Sequence, residues 1–166
     1  MTCRIECSVR IDAPREQVWS LLQDFTRRTE WDLRVVRAAV ITPPPQGKGT
    51  RFLITYRIAG VSYKVENEYL VWKPPERSAI RFPDHRRDFF FSTVAGSWRL
   101  TSHDDNSTTW TTTISITMRG GFLAPLLERV AIGWYFRRLT EASQRKFKKL
   151  AEHEPIFSGR GMLIAE

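Results

Sequence analysis

The sequence predicts an α+β fold: a seven-stranded antiparallel sheet, one long C-terminal helix, and two short helices after the first strand. Three observations predict it. Apolar and polar residues alternate along seven stretches joined mainly by short turns, as antiparallel strands with one buried face do. Between the first two stretches, apolar residues recur at helical spacing instead. After Gly120-Gly121, a run of helical spacing roughly 45 Å long at 1.5 Å per residue closes the chain.

Residues 4–11 alternate cleanly, with Ile5, Cys7, Val9 and Ile11 on one face and Arg4, Glu6, Ser8 and Arg10 on the other. Asp12 is placed to cap the helix expected over 14–25, and Pro14 falls in its first turn, where a missing N–H costs nothing. Val18, Leu21, Leu22 and Phe25 supply its apolar stripe, and a short second turn runs toward Glu30-Trp31-Asp32. Residues 34–41 form the next strand, ended by a Pro-rich, Gly-rich turn at 42–49. Over 50–58, Phe52, Ile54, Tyr56 and Ile58 share a face. The following strand alternates Val61, Tyr63, Val65, Asn67, Tyr69 and Val71 with Ser62, Lys64, Glu66, Glu68, Leu70 and Trp72, and Pro74-Pro75 ends it. A short strand at 78–82 and a polar loop at 83–88 lead to residues 89–100, where Phe90, Ser92, Val94, Gly96, Trp98 and Leu100 share a face. Residues 108–118 place Trp110, Thr112, Ile114, Ile116 and Met118 together, with a threonine-rich face opposite.

The final helix, expected over 123–152, carries two apolar stripes. Leu123, Leu126, Leu127, Val130 and Trp134 form one; Ile132, Tyr135, Phe136, Leu139, Ser143 and Leu150 form the other, turned by roughly half a revolution at 100° per residue. A straight helix on one sheet needs one stripe, so a bend near Gly133 is expected. It would leave Leu123, Leu127 and Trp134 at the mouth of the interior and the basic half beyond Arg137 outside, anchored by Leu139 and Leu150. The alternative is a first stripe that meets a partner or a membrane.

The opening strand, Ile11-Asp-Ala-Pro-x-x-x-Val18-Trp19, the later Trp31, the Gly47-x-Gly49-x-Arg51 turn and Pro74-Pro75 resemble the landmarks of the START-like, Bet v 1-like superfamily (SRPBCC). Its bacterial members are often labelled polyketide cyclase/dehydrase or lipid-transport proteins. The resemblance implies a helix-grip fold, in which a curved sheet wraps the long helix around an apolar cavity. It carries no shared catalytic set, because these landmarks belong to the fold.

With 166 residues, 42% apolar and 27% charged, the chain is expected to form one globular domain over 1–153 and a flexible tail over 154–166. No stretch approaches the roughly 18 apolar residues of a membrane span. The N-terminus lacks the apolar core of a signal peptide, so a cytoplasmic location is expected. Cys3 and Cys7, four residues apart on one strand, would lie about 13 Å apart, beyond a disulfide's reach of about 7 Å. They read as two thiols rather than a metal or redox pair. Net charge is +8, with Arg129, Arg137, Arg138, Arg145, Lys146, Lys148 and Lys149 on the last helix. A solvated helix face is the plain explanation; transient contact with an anionic membrane surface is the alternative, ahead of nucleic acid.

No zinc-like His/Cys spacing, phosphate loop or nucleophile elbow is present, and no metal or cofactor is expected. His85, His103 and His153 read as solvent-facing. Strand parity turns Tyr56, Tyr63, Asn67, Tyr69, Phe90, Trp98, Trp110 and Thr112 inward, joined by Trp134 from the helix. Aromatic walls with a few hydroxyls and one amide suit a small hydrophobic ligand bearing one or two polar groups, such as a lipid, isoprenoid or polyketide-like aromatic. The first expectation is a carrier or sensor. The second is a cyclase, aromatase or dehydratase with Tyr56, Tyr63 or Tyr69 as general acid and Asn67 orienting a carbonyl. A third is a basic module for RNA, ribosome or membrane, which would show strong salt dependence.

Overall fold

The computed structural model describes residues 2–58, 60–82, 91–118 and 125–154, and of 91–93, 118 and 125–129 the backbone alone. Its elements are β1 (Thr2–Ile11), α1 (Arg15–Gln23), α2 (Arg28–Trp31), β2 (Val35–Val40), β3 (Arg51–Ile58), β4 (Val61–Lys73), β5 (Arg77–Arg81), β6 (Phe91–Asp104), β7 (Ser107–Met118) and α3 (Pro125–His153). The seven strands form one sheet in the order β1-β7-β6-β5-β4-β3-β2, every neighbouring pair antiparallel. Strands β2 to β7 form a meander, and β1 returns to the free edge of β7. The pair α1–α2 therefore carries the chain from one sheet edge to the other. This is the curved helix-grip architecture.

Alternation becomes burial as the period-two rule requires. Cys3, Ile5, Cys7 and Ile11 are buried on β1, opposite Ile116, Ile114, Thr112 and Thr108 of β7, which are buried as well. Cys3 and Cys7 are separate thiols. The strands also run longer than expected at one hairpin: β6 continues past Leu100, and His103 lies on it, its Nε2 2.7 Å from Thr109 Oγ1.

Two local expectations are corrected. Asp12 does not cap α1: the N-cap position is Pro14, with no side-chain cap bond. The Asp12 amide donates instead to Glu152 Oε1 at 2.8 Å, tying the end of β1 to α3. On β4 the alternation breaks at a bulge between Tyr69 and Val71. One inserted residue exchanges the two faces, so Trp72 rather than Val71 turns inward. Its ring meets Trp19 at 5.2 Å and Tyr69 at 4.7 Å. Val61, at the hairpin end of β4, is half exposed rather than interior.

Helix α3 runs unbroken through Gly133. Its buried face is a single stripe, Phe136, Thr140, Ser143, Phe147 and Ala151, while Val130 and Trp134 are exposed. With the described part of the first stripe left outside, no bend is needed to bury both. Leu123 lies outside the described residues, and the side chain of Leu127 is not described. A Cβ on Gly133 would sit 3.5 Å from Cys3 Sγ, so the helix rests directly on β1 there. Gln144 locks the same seam: its Nε2 donates to Cys7 O at 3.1 Å and lies 3.4 Å from Thr112 Oγ1. Arg137 and Lys148 add bonds to the carbonyls of Glu6 and Arg10. Among the described residues, no helix is long and apolar enough to cross a membrane.

Candidate functional site

Helix α3 lies along β1 and against α1 and α2, and α1 packs on β6 and β7, with Gln23 at its end reaching Tyr69 and Ser78. These helices do not fill the inner face of β3 to β6. A cavity of about 470 Å³ opens there, within the size range of small-molecule sites. Its walls are mostly apolar and aromatic, among them Phe25, Phe52, Ile80, Phe82 and Phe136. Gly96 lines it from β6; a Cβ there would meet Ile80 Cγ1 at 3.4 Å, so the missing side chain keeps that wall back.

Of the residues expected inside, Tyr56, Tyr63, Tyr69, Trp98 and Thr112 line the cavity. Three others do not. Asn67 is fully buried but off the wall, its Nδ2 donating to Val65 O at 3.0 Å and its Oδ1 unpartnered. Phe52, its cross-strand partner, and Tyr69 form the wall there, their rings 4.9 Å apart. Trp110 belongs to the packed aromatic cluster, 5.6 Å from Trp31 and 4.9 Å from Phe147. Trp134 is 59% exposed on the outer face of α3, with the Arg138 guanidinium 5.4 Å from its ring. Phe90 lies outside the described residues.

Among the residues that strand parity does not reach, the structure brings in Arg28 on α2, Asp32 just after it, and Arg34 before β2, along with Lys64 and Glu66 of β4. Asp32 is 1% exposed and Arg28 5%. The short helix puts Arg28 and Asp32 one turn apart, Nη2 to Oδ2 at 3.4 Å. The turn over Leu33 and Arg34, closed by Val35 N–H donating to Asp32 O at 2.9 Å, folds Arg34 back onto Asp32 with a fork: Nε to Oδ1 at 2.9 Å and Nη2 to Oδ2 at 3.2 Å. Arg34 also reaches Thr140 of α3. Arg28 is held differently. Its guanidinium lies 4.4 Å from the Trp31 ring and 4.3 Å from the Trp98 ring, donates to Leu22 O, and leaves Nε without a partner.

These contacts decide protonation. Burial pushes the Asp32 carboxyl up, but Arg34 and then Arg28 outweigh it and leave the group below the usual carboxylate range. Locked in two ion pairs, Asp32 is a weak base. Burial pulls Arg28 down, opposed chiefly by Asp32, while the Asp32 fork carries Arg34 above its ordinary value despite burial. Tyr56 is pushed up to about 12 by burial, so it stays a phenol at neutral pH and can donate a hydrogen bond. Burial likewise raises Tyr69, whose hydroxyl donates to Gln23 Oε1 at 2.6 Å. Gln23 in turn donates to Ser78. Tyr69 is therefore committed to the protein, while Tyr56 has no hydrogen-bond partner among the described residues. The site can hold a largely aromatic molecule and offer N–H and O–H donors to an oxygen on it.

A family model described as polyketide cyclase/dehydrase and lipid transport matches residues 2–152. The aromatase/cyclase Zhui from a Streptomyces species is similar in structure, with a TM-score of 0.76 and 18% identity over 92% of this chain and 94% of its own. A START superfamily protein from Mycobacterium smegmatis superposes with a TM-score of 0.67 and 16% identity, over 89% and 98% of the two chains. At such identities the likeness is one of fold. No curated protein matches the sequence.

Proposed function

This chain belongs to the polyketide cyclase/dehydrase and lipid transport family, and from that premise we propose that it binds a small hydrophobic ligand in its internal cavity, as a carrier or sensor. The single observation that supports this most is the open volume of about 470 Å³ bounded by aromatic side chains. Close packing normally leaves few voids larger than a water molecule. An apolar occupant would restore the lost contacts. The test is titration with N-phenyl-1-naphthylamine, a neutral aromatic whose emission rises in apolar surroundings. Saturable binding of one molecule per chain is expected, together with displacement by any small molecule that co-purifies and is identified by mass spectrometry of the denatured protein. A linear, unsaturable response overturns the reading.

A second reading, a cyclase, aromatase or dehydratase acting in the same cavity, is favoured by the Tyr56 phenol lying on a wall shared with two guanidinium groups. Such donors stabilise an enolate oxygen. The roles expected for Asn67 and Tyr69 fall away, since one is off the wall and the other is bound to Gln23. Dehydration of an aromatic β-hydroxyketone should then be faster with the wild-type chain than with Tyr56→Phe. A rate equal to buffer alone removes the enzyme reading and leaves the binder.

A further inference from the structure

We propose that the ligand of this cavity is an aromatic acid, its carboxylate seated against the Arg28 guanidinium and its ring system held by the aromatic walls. This deepens the reading of the chain as a binder and rests on it. The argument begins with charge. Among the charged residues lining the cavity, Lys64 is exposed and Glu66 half-buried, a pair of opposite sign. Arg28 and Asp32 have almost no exposure to water, and the Arg34 side chain is 13% exposed; these last three are two cationic and one anionic. The array keeps a net positive charge in a site of low polarity. A buried charge without a counter-charge is costly, and an anion entering the cavity removes that cost.

Geometry says which arginine is available. Asp32 gives its two oxygens to the Arg34 fork at 2.9 and 3.2 Å and accepts a backbone bond from Arg34 besides. Arg28 meets Asp32 through one looser contact at 3.4 Å and donates to Leu22 O at 3.3 Å, while its unpartnered Nε is sealed from solvent. A guanidinium has five N–H donors. Nε is sealed from the cavity, and with one N–H of Nη1 given to Leu22 O and one of Nη2 turned to Asp32, each of Nη1 and Nη2 keeps one N–H that no described residue uses. Trp31 and Trp98 hold its plane, which fixes the direction in which those donors point. A planar, pre-oriented fork suits a carboxylate. The Tyr56 phenol, protonated at neutral pH, is the second donor. Trp98, which also lines the cavity, offers the acid's ring an aromatic neighbour beside the charge.

The test compares 2-naphthoate with 2-naphthamide, the same ring system with and without the charge, by quenching of tryptophan emission at pH 7. The wild-type chain should bind the acid at least tenfold more tightly than the amide. Arg28→Gln should bring the two within about twofold of each other by weakening the acid much more than the amide. A wild-type ratio near one overturns the proposal, and with the amide still saturating at one per chain the cavity reading survives. If neither compound saturates, both readings fall. Equal weakening of acid and amide by Arg28→Gln, with the fold intact by circular dichroism, also overturns the acid assignment. If that variant does not fold, the wild-type ratio decides alone.

Discussion

At the scale of single residues, Asp32 is the group on which the site's electrostatics depend. It neutralises one of two buried guanidiniums and fixes the position of the other. Asp32→Asn leaves Arg28 and Arg34 facing each other without a counter-charge, and should cost about 3–5 kcal/mol in urea unfolding at pH 7. The pH dependence has a definite sign. The carboxyl is held below its ordinary value in the folded chain, so its contribution is fully present above the unfolded value of about 4. It is lost as pH falls through the lower folded value. The stability gap between wild type and Asp32→Asn should therefore be constant from pH 5 to 8 and narrow below about pH 4. A gap that stays constant into acid would contradict the assignment. Trp31, its neighbour, is 1% exposed at the junction of Trp98, Trp110 and Phe147. Trp31→Ala should cost about 3–5 kcal/mol by the same measurement.

At the scale of elements, α3 shows how a helix can carry more apolar surface than it buries. The stripe through Phe136, Phe147 and Ala151 packs inside, and Trp134 remains outside over Arg138. Gly133 lies where the helix rests on Cys3. The added methyl of Gly133→Ala would make an ordinary contact at 3.5 Å while removing glycine's entropic cost, so a gain of about 0.5–1 kcal/mol is expected. A loss of stability would show that the seam between α3 and β1 is tighter than this. The β4 bulge acts at the same scale. By turning Trp72 inward it completes the Trp19–Trp72–Tyr69 aromatic row, and the Tyr69–Gln23 bond then ties the sheet to α1.

At the scale of the whole molecule, the sheet closes around space as well as around a core. A ligand that binds the folded chain alone stabilises it by mass action, by about 2.7 kcal/mol at a hundred times its Kd. For a chain of this length that corresponds to a rise in Tm of roughly 5–11 °C. Differential scanning fluorimetry with 2-naphthoate should show such a rise in wild type and a much smaller one in Arg28→Gln. Equal rises in both would argue for binding elsewhere on the basic surface. There Arg145, Lys146 and Lys149 are solvent-facing, whereas Arg137 and Lys148 are engaged with β1 carbonyls.

The architecture was legible in the residues because burial on a sheet has a period of two and burial on a helix a period near 3.6. Ile5, Cys7, Phe52, Ile54, Ile114 and Ile116 announce their faces, and Gly60 and Pro74-Pro75 mark where strands end. Parity also placed Tyr56, Tyr63, Tyr69, Trp98 and Thr112 on one inner surface. Parity fails wherever a bulge intervenes, as at Val71 and Trp72, because register depends on the neighbouring strand. It also cannot separate a buried residue that lines a cavity from one packed behind it, as Asn67 and Trp110 are. The charged group was hidden for a different reason. Arg28, Asp32 and Arg34 sit in and beside a four-residue helix with no periodicity of its own, and charged residues in such connections normally face water. Arg28 and Asp32 one turn apart beside Trp31 were a faint signal. Local sequence determined the strands, the helices and the aromatic inner face. Tertiary packing alone decided that these three charges would be buried at the cavity wall, since it set where α2 docks and so which side chains lose their water.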